Sequence, residues 1–201
     1  MAKPGTTKDK LLQVAFELIW DNSYGAVSVG DICERAGVNK GSFYYFFESK
    51  ADLAIEAYQE HWKEKQPELD RIFSPQVPPL ERLQRYCRYV YDGQAEKAQK
   101  YGRVCGCPYA SIGSEVATQD EKIRVKSEEL IARGRKYFES AIADAIRANQ
   151  VSVKDASVAA QRVHSMILGM LVEAKVQNNL EILRDLDTTI MALLGAKPVV
   201  V

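Results

Sequence analysis

Residues 28–50 read Ser28-Val29-Gly30-Asp31-Ile32-Cys33-Glu34-Arg35-Ala36-Gly37-Val38-Asn39-Lys40-Gly41-Ser42-Phe43-Tyr44-Tyr45-Phe46-Phe47-Glu48-Ser49-Lys50, and this stretch decides the fold. Ser28, Asn39 and Ser49 are of residue types that cap helix N-termini, and each stands directly before a predicted helix. Gly37 has the position expected of a left-handed glycine that ends a helix. The stretch therefore predicts two short helices, at residues 29–36 and 40–47, before another helix begins at Lys50. Two short helices joined by a tight glycine turn are the layout of a helix-turn-helix.

The second short helix has one face of phenylalanines and an opposite face that carries lysine, glycine and tyrosine. Phe43, Phe46 and Phe47 have the spacing of one helix side and are predicted to pack inward. The residues that then face outward are Lys40, Gly41, Tyr44 and Tyr45. Lysine and tyrosine can bond to phosphates or base edges, and glycine lets a backbone approach DNA closely. The alternative is an aromatic-rich helical hairpin in which the tyrosines are half-buried.

The composition is that of a globular protein and does not by itself indicate a function. The chain has 201 residues, of which 46% are hydrophobic and 27% charged, as in ordinary globular proteins. The N-terminal segment has no apolar core of a signal peptide, and no apolar run has membrane-spanning length, so we expect a cytoplasmic protein without a membrane partner. Lys and Arg number 27 and Asp and Glu 27. Any DNA affinity must therefore come from where the charges lie.

Cysteine and histidine usage gives no sign of a metal or cofactor site. The cysteines are Cys33, Cys87, Cys105 and Cys107, and without an export signal we expect reduced thiols. Cys105 and Cys107 lack the two-residue gap of a redox pair or zinc knuckle. No catalytic motif is present either. We therefore expect no metal, no cofactor and no enzymatic activity, although a helical enzyme and a helical adaptor protein remain alternatives.

The rest of the chain predicts helices only, because apolar residues recur at helical spacing and no sustained strand pattern occurs. The further helices are predicted at residues 7–21, 50 to about 67, 79–98, 105–117, 120–149, 153–177 and 180–194. Phe73 to Pro79 contains three prolines and cannot continue a helix. The fold class is thus all-α with about nine helices.

The sequence resembles the DNA-binding region of the tetracycline-repressor (TetR) family of bacterial regulators over about residues 8–58. The matching features are the turn Ala36-Gly37-Val38, the pair Lys40-Gly41, Tyr44 with Phe47, and Lys50 with Leu53. Two positions depart from the pattern, since Gly30 stands where threonine is frequent and Phe46 where histidine is frequent. Contacts from these two positions are therefore not carried over.

The resemblance implies a DNA-binding domain at residues 1–50 and an effector-binding and dimerisation domain at residues 51–201. It implies a regulator, by the usual mode a repressor, that binds a palindromic operator as a homodimer and is released by a small-molecule effector. Base contacts carry over to Lys40, Gly41 and Tyr44, and phosphate contacts to Ser28, Ser42, Tyr45 and Lys50. The helix N-termini at Ser28 and Lys50 also favour a phosphate on physical grounds.

The last two helices are the predicted dimer interface. Residues 165–172 are apolar nearly all round and must be covered on more than one side. The residues predicted to contact a second copy are Ile167, Gly169, Met170, Leu183, Leu186 and Ile190. The alternative is burial within one chain.

Apolar and aromatic residues of the middle helices are the candidates for an effector pocket. They are Trp62, Tyr86, Tyr89, Val90, Cys107, Tyr109, Ile112, Tyr137, Phe138 and Met166. Their character favours an apolar or aromatic small molecule, and the alternative is that they form plain core. Cys107 stands at a predicted helix start, where a thiol pKa is lowered. A thiol switch with Cys105 or Cys87 as the resolving group is one interpretation, and a small, tight helix start is the other.

Overall fold

A computed structural model describes residues 5–197, which form nine α-helices, one 3-10 helix and no β-strand. In chain order the α-helices are α1 (Thr7–Asp21), α2 (Val29–Ala36), α3 (Lys40–Phe46), α4 (Lys50–Ile72), α5 (Pro79–Tyr101), α6 (Pro108–Val116), α7 (Glu121–Arg147), α8 (Ala156–Gln177) and α9 (Leu186–Leu194). The 3-10 helix, Leu180–Leu183, lies between α8 and α9. The predicted all-α fold class is confirmed. Within these residues no helix combines the length and apolar character that crossing a membrane requires.

The starts of the N-terminal helices follow from local capping chemistry. The Ser28 hydroxyl accepts a hydrogen bond from the N–H of Asp31, and the Asp31 carboxylate accepts one from the N–H of Ser28, which completes a capping box. Asn39 caps α3 by accepting from the N–H of Ser42 at 2.8 Å. Gly37 ends α2 with φ +67°, in the left-handed region. The predicted helix-turn-helix boundaries are confirmed to within one residue.

Two predicted helix boundaries in the middle of the chain are wrong. Helix α4 continues through Pro67 to Ile72, and the buried Leu69 and Ile72 on the far side of Pro67 provide packing that offsets the missing N–H of proline. Helix α6 begins at Pro108 rather than at residue 105. The residues before it cannot join the helix because Gly106 has φ +71°.

The C-terminal helices also differ from the prediction. Helix α8 begins at Ala156 because Asp155 caps it, accepting from the N–H of Val158. The predicted helix at residues 180–194 is interrupted, since a 3-10 helix ends at Leu183 and α9 begins at Leu186.

The described residues divide into two compact units. The first contains the chain up to Lys65 together with Pro108–Ile131, and so holds α1, α2, α3 and α6 with the first parts of α4 and α7. The second contains Gln66–Cys107 and the chain from Ala132 onward. Packing therefore extends the first unit beyond residue 50. The predicted division of function after residue 50 stays a prediction.

The core of the first unit fixes α2 and α3 on α1. Each of these helices supplies a fully buried side chain, Leu11, Ile32 and Phe43. Phe16 of α1 stacks on the His61 ring of α4, with centroids 3.9 Å apart. These contacts orient α3, so its outer face has a defined position on the unit.

The second unit has its own apolar core, formed by α5, α8, α9 and the second part of α7. Arg82 is buried beside it and donates to the carboxylate of Asp144 at 2.5 Å. The same guanidinium donates to the carbonyl oxygens of Val77 and Pro75. Arg82 thus satisfies backbone groups of the proline-rich connection before α5, which contains no helix.

Candidate DNA-binding surface and effector domain

The outer face of α3 presents polar and aromatic groups to solvent. Lys40, Gly41, Tyr44 and Tyr45 are exposed, as the sequence predicts, and Ser42 is half-buried. The exposed fraction is 59% for Tyr44 and 81% for Tyr45. Exposed aromatic residues of this size on a seven-residue helix add nothing to its own core. Their position suits contact with another molecule.

The inner face of α3 differs from the prediction at Phe46. Phe43 and Phe47 are buried, whereas Phe46 is 37% exposed and packs edge-on against Tyr45 with centroids 4.8 Å apart. The helix ends at Phe46, and the backbone of Phe47 is extended, with φ −136° and ψ 132°. Phe47 is therefore buried beside Phe43, and Phe46 remains partly exposed at the end of the helix.

Ser28 and Asp31 form the polar start of α2. Ser28 is exposed, and its hydroxyl oxygen lies 3.1 Å from the N–H nitrogen of Asp31. The hydrogen bond from the backbone N–H of Ser28, and then that involving the Ser28 side chain, lower the pKa of Asp31 below its usual value of 3.8. The N-terminus of α2 thus already holds one carboxylate. A phosphate contact of Ser28 stays a prediction.

Lys50 is held within the first unit. Its ammonium donates to the carbonyl oxygens of Tyr24 and Val27 at 2.8 and 2.9 Å and lies 4.0 Å from the centroid of the Tyr24 ring. Burial lowers the pKa of Lys50, and the carboxylate of Glu115 opposes that shift. Two of the three ammonium donors therefore have backbone acceptors. The phosphate contact predicted for Lys50 stays a prediction.

Sequence reasoning missed Glu115. This residue of α6 accepts hydrogen bonds from the N–H groups of Tyr24 and Gly25, in the turn between α1 and α2. Glu115 is separated from them by about 90 positions, and no local pattern marks a carboxylate that bonds to distant backbone groups. Only the folded chain brings Glu115 to the turn between α1 and α2.

The candidate effector residues fall into two clusters. In the first unit, the ring of Tyr109 lies 6.1 Å from that of Trp62, and Ile112 is buried. In the second unit, Tyr86 packs edge-on against Phe138 with centroids 4.8 Å apart. The other candidates in the second unit pack against or belong to the same core, Tyr89, Val90, Cys107, Tyr137 and Met166.

Phe73 is the centre of the aromatic cluster in the second unit and was not predicted. Its ring centroid lies 5.2–5.6 Å from those of Tyr86, Tyr137 and Phe138. Burial raises the pKa of Tyr86 far above its usual value, so its hydroxyl stays protonated. The Tyr137 hydroxyl of this cluster donates a hydrogen bond to the carboxylate of Asp70.

The predicted dimer residues require a correction. Ile167, Leu183, Leu186 and Ile190 are at most 1% exposed because they fill the core of the second unit, so they present no surface to a second copy. Gly169 is exposed and Met170 is half-buried. The large apolar side chains that α8 and α9 do expose are Val158, Val172, Val176 and Leu193. Helical periodicity identified α8 and α9 as apolar helices, but it did not show which of their faces is exposed to solvent.

The segment before α6 is fixed by buried hydrogen bonds. The side-chain oxygen of Gln94 accepts from the N–H groups of Cys105 and Gly106 at 3.1 and 2.9 Å, and its amide nitrogen donates to the Gly106 carbonyl. Burial raises the pKa of Cys87 to about 12, which disfavours its thiolate. The thiol-switch interpretation stays a prediction.

Comparison with known proteins gives matches over most of the chain. Residues 11–57 match the family model described as bacterial regulatory proteins, tetR family. Residues 79–189 match the model described as transcriptional regulator LmrA/YxaF-like, C-terminal domain. An uncharacterised helix-turn-helix transcriptional regulator of Lactococcus lactis subsp. lactis is 31% identical over 95% of this chain and 96% of its own length.

Solved structures share the fold at lower identity. A TetR-family transcriptional regulator from Agrobacterium tumefaciens superposes with a TM-score of 0.84 at 19% identity, over 94% of this chain and 98% of its own. A regulator from Saccharomonospora viridis in complex with choline superposes with a TM-score of 0.78 at 18% identity, over 94% of this chain and 97% of its own. At these identities the superpositions establish the fold alone.

Proposed function

We propose that this chain, which belongs to the TetR family of bacterial helix-turn-helix transcriptional regulators, is a repressor. It would bind a palindromic operator as a homodimer. A small-molecule effector bound in the second unit would release it. Its family and relatives are transcriptional regulators rather than enzymes. Because operators are chromosomal sequences, we place its action in the cytoplasm.

The observation that carries the proposal is the exposed outer face of α3. Lys40, Gly41 and Tyr44 lie there on a helix that is anchored from its other side by Phe43. In a helix-turn-helix the N-terminal residues of the second helix reach base edges in the major groove. Lys40 and Gly41 are the first two residues of α3. Base contacts from Lys40, Gly41 and Tyr44, flanked by phosphate contacts from Ser42 and Tyr45, fit this placement.

The DNA-binding proposal is tested by selecting a duplex from a random library and measuring its affinity for the full chain. We expect the double variant Lys40→Ala, Tyr44→Ala to lose at least about 30-fold in affinity, since each such contact contributes about 1–3 kcal/mol. Affinity should also fall steeply with salt.

The matched control for this test is Lys154→Ala, which removes an exposed lysine far from α3 in sequence. It should bind the duplex as the unchanged chain does. Full affinity in the double variant would refute the assignment of α3. Absence of any selected sequence would favour the adaptor alternative.

A homodimer would place two copies of α3 on successive half-sites, about 34–36 Å apart or a multiple of this. The exposed apolar residues Val158, Val172 and Val176 lie on α8 with the open position Gly169. Positions 158, 169, 172 and 176 have the spacing of one side of a helix, which suits helix packing between two copies. We expect Val172→Glu to convert a dimer to a monomer in sedimentation velocity. Val125→Glu, at an exposed valine of α7, should leave the dimer intact, and equal behaviour of the two variants would contradict the assignment.

The effector that we propose is an apolar or aromatic molecule, because the candidates in the second unit cluster around uncharged aromatic rings. The choline complex of the Saccharomonospora viridis regulator supports small-molecule binding on this fold. A thermal-shift screen against a small-molecule panel would identify ligands, and a true effector must also reduce affinity for the selected duplex.

A further inference from the structure

The turn between α1 and α2, residues 22–27, is bonded to side chains of two other helices. The N–H groups of Tyr24 and Gly25 donate to the two carboxylate oxygens of Glu115 on α6, at 2.9 and 2.7 Å. Hydrogen bonds to an ionised carboxylate are about twice as strong as neutral ones. Helix α6 therefore holds this turn through two adjacent backbone groups.

Lys50 of α4 holds the carbonyl groups of the same turn. Its ammonium donates to Tyr24 and Val27, and Val27 directly precedes the N-cap Ser28 of α2. The turn thus lies between a carboxylate that binds its N–H groups and an ammonium that binds its carbonyl groups. Its position sets where α2 begins, and α2 packs against α3.

The close approach of Glu115 depends on a glycine. A Cβ atom at Gly25 would lie 3.1 Å from the nearer carboxylate oxygen of Glu115, which is tighter than ordinary contact. Helix α6 is also packed closely on α7, where a Cβ atom at Gly113 would lie 3.0 Å from that of Ser127. Because hydrogen bonds weaken steeply with distance and angle, a small displacement of α6 would release the turn or pull it.

We propose that Glu115 is the residue through which α6 is coupled to the DNA-binding helices, by way of the α1–α2 turn and Lys50. This inference rests on the proposed function, since it assigns the route by which DNA binding and the state of α6 influence each other. Coupling between two sites is reciprocal. DNA bound at α3 must therefore stabilise α6 if Glu115 couples them.

Hydrogen–deuterium exchange on the full chain tests the coupling without a known effector. Exchange is followed by mass spectrometry with and without the selected duplex, each protein being saturated above its own dissociation constant. In the unchanged chain we expect the duplex to slow exchange of residues 40–46 and, severalfold, of residues 108–116. In Glu115→Ala we expect the duplex to slow residues 40–46 only. Gly25→Ala disturbs the same contact from the other side and should behave in the same way.

Two control variants separate this route from general effects on the fold. Glu121→Ala removes an exposed carboxylate of α7 that pairs with Arg124. Lys122→Met removes a charged link from α7 to α4, an exposed pair with Asp52 at 3.1 Å, which should contribute little. Both should retain the slowing of residues 108–116.

Two results would overturn the inference while leaving DNA binding intact. The first is equal slowing of residues 108–116 in Glu115→Ala and the unchanged chain, and the second is no slowing of these residues in the unchanged chain. If residues 40–46 are not slowed in the unchanged chain by any duplex, the proposed function fails, and the coupling fails with it.

Discussion

Replacing Gln94 by methionine should destabilise the second unit strongly, although the two side chains have similar length. The amide of Gln94 is 7% exposed and makes three hydrogen bonds, two from the N–H groups of Cys105 and Gly106 and one to the Gly106 carbonyl. Methionine would leave two donors and one acceptor buried without these partners. The segment that leads into α6 would lose these three hydrogen bonds.

The magnitude follows from the number of groups left unbonded. Each buried polar group without a partner costs about 1–3 kcal/mol. Three such groups in one short segment relax together, so we expect a loss of about 3–5 kcal/mol rather than the full sum. For a chain of this size the melting temperature should fall by roughly 10 °C. Urea denaturation at neutral pH, followed by circular dichroism, measures the change in the free energy of unfolding.

The matched control is Gln99→Met on the same helix, at an exposed position. A surface substitution of this kind should stay within about 0.5 kcal/mol of the unchanged chain. If Gln94→Met also stays within about 1 kcal/mol, the hydrogen bonds of Gln94 do not stabilise the segment before α6, and the reasoning is refuted.

Two further predictions concern His164 and Ser28. Burial, followed by the charge of Arg135, lowers the pKa of His164 to about 4 from 6.5. Between pH 7 and pH 4 the His164 imidazole therefore binds a proton more readily in the unfolded chain than in the folded chain. This difference should lower the free energy of unfolding by about 3 kcal/mol over that range. His164→Gln should remove this part of the slope in urea titrations, and an unchanged slope would contradict the assignment. Ser28→Ala removes the N-cap of α2 and should cost about 1 kcal/mol in thermal unfolding, whereas an unchanged melting temperature would show that the cap contributes nothing.

The features that the sequence could predict are those that depend on neighbouring residues. The capping of α2 by Ser28 and Asp31, the left-handed Gly37 and the exposure of Tyr44 all follow from residues within one or two helical turns. The helix-turn-helix was therefore predictable to within one residue of its boundaries. The continuation of α4 through Pro67 was not, because it depends on burial of the residues beyond it.

The features that the sequence could not predict depend on residues far apart. Gln94 fixes the backbone 11 and 12 positions further on, and the Asn178 side chain accepts from the N–H of Val104, 74 positions earlier. Glu115 of α6 likewise bonds to backbone groups of the α1–α2 turn, about 90 positions earlier. Hydrophobic spacing on α8 correctly indicated a buried helix, yet it could not separate Ile167, which faces the chain's own core, from the exposed Val172.

The construction of α3 separates the residues that stabilise the helix-turn-helix from those that we propose contact DNA. Phe43 and Phe47 anchor the helix from one side, and Asn39 fixes its start. Lys40 and Tyr44 are exposed and take no part in that anchoring core. Substitutions at these two positions can accumulate at little cost to folding, since exposed positions tolerate change. Operator preference can therefore diverge between descendants of one gene while the scaffold persists, which lets duplicated copies of such a regulator acquire separate sets of target genes.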